Sequence, residues 1–156
     1  MKKLIMILAV GAVLFGPGAG FAEGSPVAIV VHPEVQVSDL STSQLRRIFL
    51  ADQQFWPDRS RIVLLVRAPQ ADDRSVVLDR IYQMSESQYS KYWIAKIFRA
   101  EVPAGPRIVF SSNMAQELVK AIPGSITFIP SSEIDSQIKV LSIDGLLPDQ
   151  PGYTLH

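Results

Sequence analysis

Val27-Ala28-Ile29-Val30-Val31 is an unbroken apolar run in which four of the five residues are β-branched. A strand with one wet face alternates polar and apolar residues. An uninterrupted run suits only a strand covered on both faces, as in a parallel or mixed sheet flanked by helices. Ile62 to Val66 repeats the pattern, and Ile126 to Ile129, Ile108 to Phe110 and Ile138 to Ile143 supply further strand candidates. Helix signals lie between them. Ser41-Thr42-Ser43-Gln44 has the form of a capping box, and Leu45, Ile48 and Phe49 follow at the spacing of one helical face. Asp72 or Asp73 opens a second helix carrying Val76, Val77, Arg80, Ile81 and Met84, and Ser85 or Ser87 a third carrying Tyr89, Tyr92, Trp93, Lys96 and Ile97. Ser112 or Asn113 caps a fourth through Ala121, which Pro123-Gly124 stops. Strands alternating with helices predict an α/β domain of three layers, with a mixed or mostly parallel sheet.

Residues 1–22 read as a secretory signal: Lys2 and Lys3, an apolar stretch from Leu4 to Phe15, then Gly20-Phe21-Ala22 before an expected cleavage. The stretch is short for a membrane span of about 20 residues. Its removal leaves 13 basic against 15 acidic residues, a net charge of −2. The expected organisation is a domain over residues 23–147 and a flexible tail over 148–156, located in the periplasm. A balanced charge with no basic block argues against nucleic acid as a partner.

The chain has no cysteine and only two histidines, His32 and His156, which excludes a thiolate nucleophile and a cysteine or histidine-rich metal site. A Ser-His-Asp triad would need His32, beside Pro33 in a loop, and there is no G-x-S-x-G elbow, P-loop or G-x-G-x-x-G. No enzyme, cofactor or metal is expected. Anion binding has better material. Arg67 ends a predicted strand, and Ser111, Ser112 and Asn113 lie between a strand and a helix. Strand-to-helix loops offer free amides at the carboxyl edge of a sheet, where hydroxyls and a guanidinium suit a tetrahedral oxyanion. The plainer alternative is that Ser112 or Asn113 only caps its helix and that Asp72-Asp73 only serves its helix's first turn. Tyr89, Tyr92, Trp93 and Phe98 are read as core or a partner face, and Arg46-Arg47 as a solvated face.

The segment Val30 to Asp58, with Leu40, Ser41, Leu45, Ile48, Phe49 and Trp56 in register, resembles the signature of periplasmic phosphate-binding proteins of ABC transporters. Ala121-Ile122-Pro123-Gly124-Ser125-Ile126-Thr127-Phe128-Ile129 resembles a second motif of that family. The resemblance implies a single-lobe periplasmic-binding-protein-like domain and a role in solute binding, with phosphate or a related oxyanion as ligand. It places Arg67 at the arginine of the family's phosphate loop, Arg74 at a basic position just beyond it, and Ser112-Asn113 near a further loop. Against the pattern, Ala71 stands at its serine, Asp72 at a glycine and Asp73 at its threonine, so two hydroxyl donors are lost and two carboxylates gained. One lobe also cannot close over a ligand by itself. The alternative is therefore a half-receptor that has lost its ligand and acts as an envelope accessory protein, through a membrane-transporter partner or self-association.

Overall fold

The computed structural model describes residues 24–156, so the signal segment lies outside the described residues. The elements run β1 (Val27–Val31), β2 (Asp39–Leu40), α1 (Thr42–Phe49), β3 (Val63–Arg67), α2 (Asp72–Val77), a π-helical turn (Leu78–Tyr82), α3 (Glu86–Phe98), β4 (Arg107–Val109), α4 (Ser112–Ala121), β5 (Ser125–Pro130), β6 (Lys139–Val140) and β7 (Ser142–Ile143). The main sheet has the order β4-β3-β5-β1-β6. β3 is parallel to β4 and β5, while β1 is antiparallel to β5 and β6. Only β1 therefore runs against the common direction, as expected of a mixed, mostly parallel sheet.

The burial pattern explains the uninterrupted β1 run. Val27, Ile29 and Val31 pack into a cluster with Leu45, Ile48, Phe49 and Tyr82. Ala28 and Val30 point the other way, into a cluster with Ala115 and Val119 of α4. Both faces are covered, so a polar residue anywhere in β1 would be desolvated. The capping box at Ser41 is complete in both directions, with the Gln44 amide donating to Ser41 Oγ at 3.1 Å and the Ser41 amide to Gln44 Oε1 at 2.9 Å. Ser85 and Gln88 form a second at the start of α3.

The two motif segments meet in the core. Trp56 is buried and its Nε1–H donates to the Gly124 carbonyl at 2.9 Å. Gly124 has φ +74, and a Cβ there would lie 2.3 Å from the Arg61 carbonyl oxygen, so both the backbone angle and the close approach require glycine.

Several expectations are corrected. The helix from Asp72 does not stay α-helical to Met84 but widens to a π-turn at Leu78–Tyr82, and Arg80 is exposed. Ile138 to Ile143 is not one strand, because Leu141 donates its amide to Ile29 and the chain then leaves the main sheet for a parallel pair with β2. Ser111, not Ser112 or Asn113, caps α4. The segment 148–156 is docked rather than frayed. Tyr153 and Leu155 are buried, Tyr153 Oη–H donates to the Val27 carbonyl at 2.7 Å, and the Val27 amide donates to Leu155 at 2.8 Å.

Candidate functional site

The carboxyl edge of β3 and β4 carries the residues singled out for anion binding. Register pairs Arg67 with Val109, and the Ala68 amide donates to the Val109 carbonyl at 2.8 Å. The β3–α2 turn and the β4–α4 turn thus lie side by side, and Arg67 and Ser111 to Asn113 share one sheet edge. Their side chains are committed differently. Ser111 Oγ accepts the Met114 amide at 3.0 Å, Ser112 is buried, and Asn113 is exposed.

Arg67 is 8% exposed and Asp73 3%. Arg67 Nε donates to Asp73 Oδ2 at 2.9 Å, while Arg67 Nη1 and Asp73 Oδ1 are buried with no hydrogen-bond partner among the described residues. Burial pushes the Asp73 carboxyl above the usual carboxylate range, and the attraction and hydrogen bond of Arg67 offset this only in part. The six-residue separation explains the contact: Arg67 ends a strand, the chain turns through Pro69 and Gln70, and the first turn of α2 brings Asp73 back over the strand end. A carboxylate thus occupies the Nε edge of the Arg67 guanidinium.

Arg74 serves a different purpose. Its Nε and Nη2 donate to the two carboxylate oxygens of Glu86 at 2.6 and 2.8 Å, its Nη1 donates to the Arg67 carbonyl at 2.6 Å, and its guanidinium lies 4.7 Å from the Tyr89 ring centre. The Arg74 hydrogen bonds hold the Glu86 carboxyl below its ordinary range. This fork–fork pair ties α2 to α3 and supports the Arg67 turn from below; all three Arg74 nitrogens have protein acceptors.

Asp72, Asp73, Glu133, Ser132 and His156 line a cavity of about 280 Å³ at this same edge. Three carboxylates around it make the edge acidic, a character that Asp72 and Asp73 hinted at and that Glu133, far along the chain, could not reveal. His32 is buried and accepts the Glu34 amide on Nδ1 at 3.2 Å, in a local turn.

No family model and no curated protein matches the chain. Solved structures do. The chain is similar to an ABC-type phosphate transport receptor from Vibrio cholerae, with 18% identity and TM-score 0.64 over 80% of this chain and 48% of that one. It is similar to PstS from Borrelia burgdorferi, with 16% identity and TM-score 0.65 over 84% and 54%. A phosphate-binding protein from Stenotrophomonas maltophilia matches with 15% identity and TM-score 0.61 over 81% and 41%. The chain spans about half the length of these structures. The fold is therefore the periplasmic-binding-protein-like fold of phosphate receptors. No helix among the described residues is long and apolar enough to cross a membrane.

Proposed function

We propose that the chain is an exported, periplasmic solute-binding-type protein that works with an ABC transporter and whose ligand position is for a small oxyanion, phosphate first. The observation that carries this is Arg67 at the carboxyl edge of β3, beside the amino terminus of α4, within the fold of phosphate receptors. Asp73 makes this position weak. An entering phosphate must displace the carboxylate from Arg67 or sit beside it, and like charges about 4 Å apart repel by about 4 kcal/mol at an effective dielectric near 20. A charge-assisted hydrogen bond returns about 1.5–3 kcal/mol. Phosphate affinity of the chain alone is then no tighter than about millimolar, equivalent to about 4 kcal/mol.

The Arg67–Asp73 pair also favours a second reading, in which the anion position is permanently filled from within and the chain is an envelope accessory protein. Calorimetric titration of the chain lacking residues 1–22 with phosphate, beside the triple variant Ala71→Ser, Asp72→Gly, Asp73→Thr, separates the two. The solute-binding reading expects weak binding that strengthens measurably in the variant. No gain in the variant, with urea unfolding showing that it is folded, would overturn it in favour of the accessory reading. Micromolar binding by the unmodified chain would show that Asp73 does not block the site.

A further inference from the structure

At the opposite, amino-terminal edge of β3 and β4 lies a cavity of about 340 Å³, within the size range of small-molecule pockets. Arg61, just ahead of β3, and Arg107, the first residue of β4, both line it and both are exposed. Neither forms an ion pair among the described residues. No aspartate or glutamate lines the cavity; its remaining wall includes the apolar side chains of Trp93, Ile62 and Val102 and the Pro103–Pro106 turn. Trp93 is 6% exposed. Gln54, also in the wall, is turned away, its amide donating to the Ala51 and Glu101 carbonyls.

The geometry points to this cavity as a second ligand site, for a small organic acid: a carboxylate head held by Arg61 and Arg107 and an apolar body against Trp93 and the proline turn. Two features select this class. Two unpaired guanidinium groups without a carboxylate neighbour select an anion. The apolar wall selects a body that inorganic phosphate lacks. The cavity shares no lining residue with the Arg67 edge, so this site stands apart from the one proposed above.

Sodium benzoate is the probe, with benzylamine and inorganic phosphate as comparators, added to the chain lacking residues 1–22. The readout is the indole Nε1–H resonance of Trp93, with Trp56 as the internal reference because its Nε1–H is already bonded to Gly124. Benzoate shifts the Trp93 resonance and leaves Trp56 in place; the exposed pair change Arg61→Gln, Arg107→Gln weakens the effect about tenfold or more, about 1.4 kcal/mol; benzylamine is silent. The triple variant at Ala71, Asp72 and Asp73 leaves benzoate binding unchanged, which keeps this test separate from that of the phosphate position. An unmoved Trp93 resonance at high millimolar benzoate, equal binding by the double glutamine variant, or an equal response to benzylamine or to phosphate would each overturn the assignment.

Discussion

The two ends of β3 each present arginines, in opposite states. At the carboxyl end Arg67 and Arg74 are buried and each has a carboxylate, Asp73 and Glu86, within hydrogen-bonding distance. At the amino end Arg61 and Arg107 are exposed beside a cavity and have no carboxylate partner among the described residues. The count of arginines near a sheet edge therefore says little about anion binding. What decides it is whether the chain supplies its own anion. A guanidinium neutralised internally has become part of the fold, and removing either partner leaves a buried charge exposed to its desolvation cost.

The sharpest way to break this contrast is to remove one partner at each end. Arg67→Ala leaves Asp73 buried without its cation and lowers stability by about 3–5 kcal/mol in urea unfolding, whereas Arg107→Ala at the other end changes it by under about 0.5 kcal/mol. Replacing both members, as Arg67→Met with Asp73→Leu, recovers most of the loss, since a matched apolar pair replaces a buried ion pair at little net cost. Equal losses for Arg67→Ala and Arg107→Ala would erase the distinction.

Gly124→Ala sets a second scale. It places a Cβ 2.3 Å from the Arg61 carbonyl at a positive φ and lowers stability by about 2 kcal/mol or more. Arg74→Lys keeps the charge but loses the fork onto Glu86, at a cost of about 1.5 kcal/mol read from the same unfolding curves.

The smallest effect is pH-dependent and its sign follows from Asp73. Its folded carboxyl value lies above the unfolded one, so the folded state holds the proton more tightly in the window from the ordinary value of 3.8 upward. Its contribution is present below that window and is lost as pH rises through the folded value. Glu86 acts oppositely: its folded value lies below 4.5, so its contribution is present above that value and lost as pH falls. Asp73→Asn therefore flattens the part of the stability profile that declines with rising pH, and Glu86→Gln flattens the part that declines with falling pH. Unfolding midpoints measured across the acid range check both slopes.

Much of the scaffold was legible from local signals. The β-branched runs marked β1, β3 and β5 because burial on both faces demands them, and Ser41-to-Gln44 marked α1 because the cap is a property of four adjacent residues. The π-turn at Leu78–Tyr82 was not legible: it keeps Leu78, Ile81 and Tyr82 buried together, and an α-helical reading fits the same apolar residues. The docked end was hidden for another reason. Tyr153 and Leu155 form no periodic pattern, and their partner, Val27, is at the far end of the described chain. At the candidate site, Arg67 and Ser111 to Asn113 were placed at a common edge by strand-to-helix alternation alone. Which way Asp72 and Asp73 face depends on one helical step of about 100°, and only the folded turn resolves it: Asp72 is exposed and Asp73 is on Arg67.

The arginine Nε–H resonances, followed while inorganic phosphate is added near neutral pH, test the contrast between the two ends most directly. With Asp73 seated on Arg67, the Arg67 resonance stays in place through micromolar phosphate in the unmodified chain and begins to move at much lower phosphate in the Ala71→Ser, Asp72→Gly, Asp73→Thr variant. Movement of the Arg67 resonance at micromolar phosphate with Asp73 intact would contradict the internal-counterion reading.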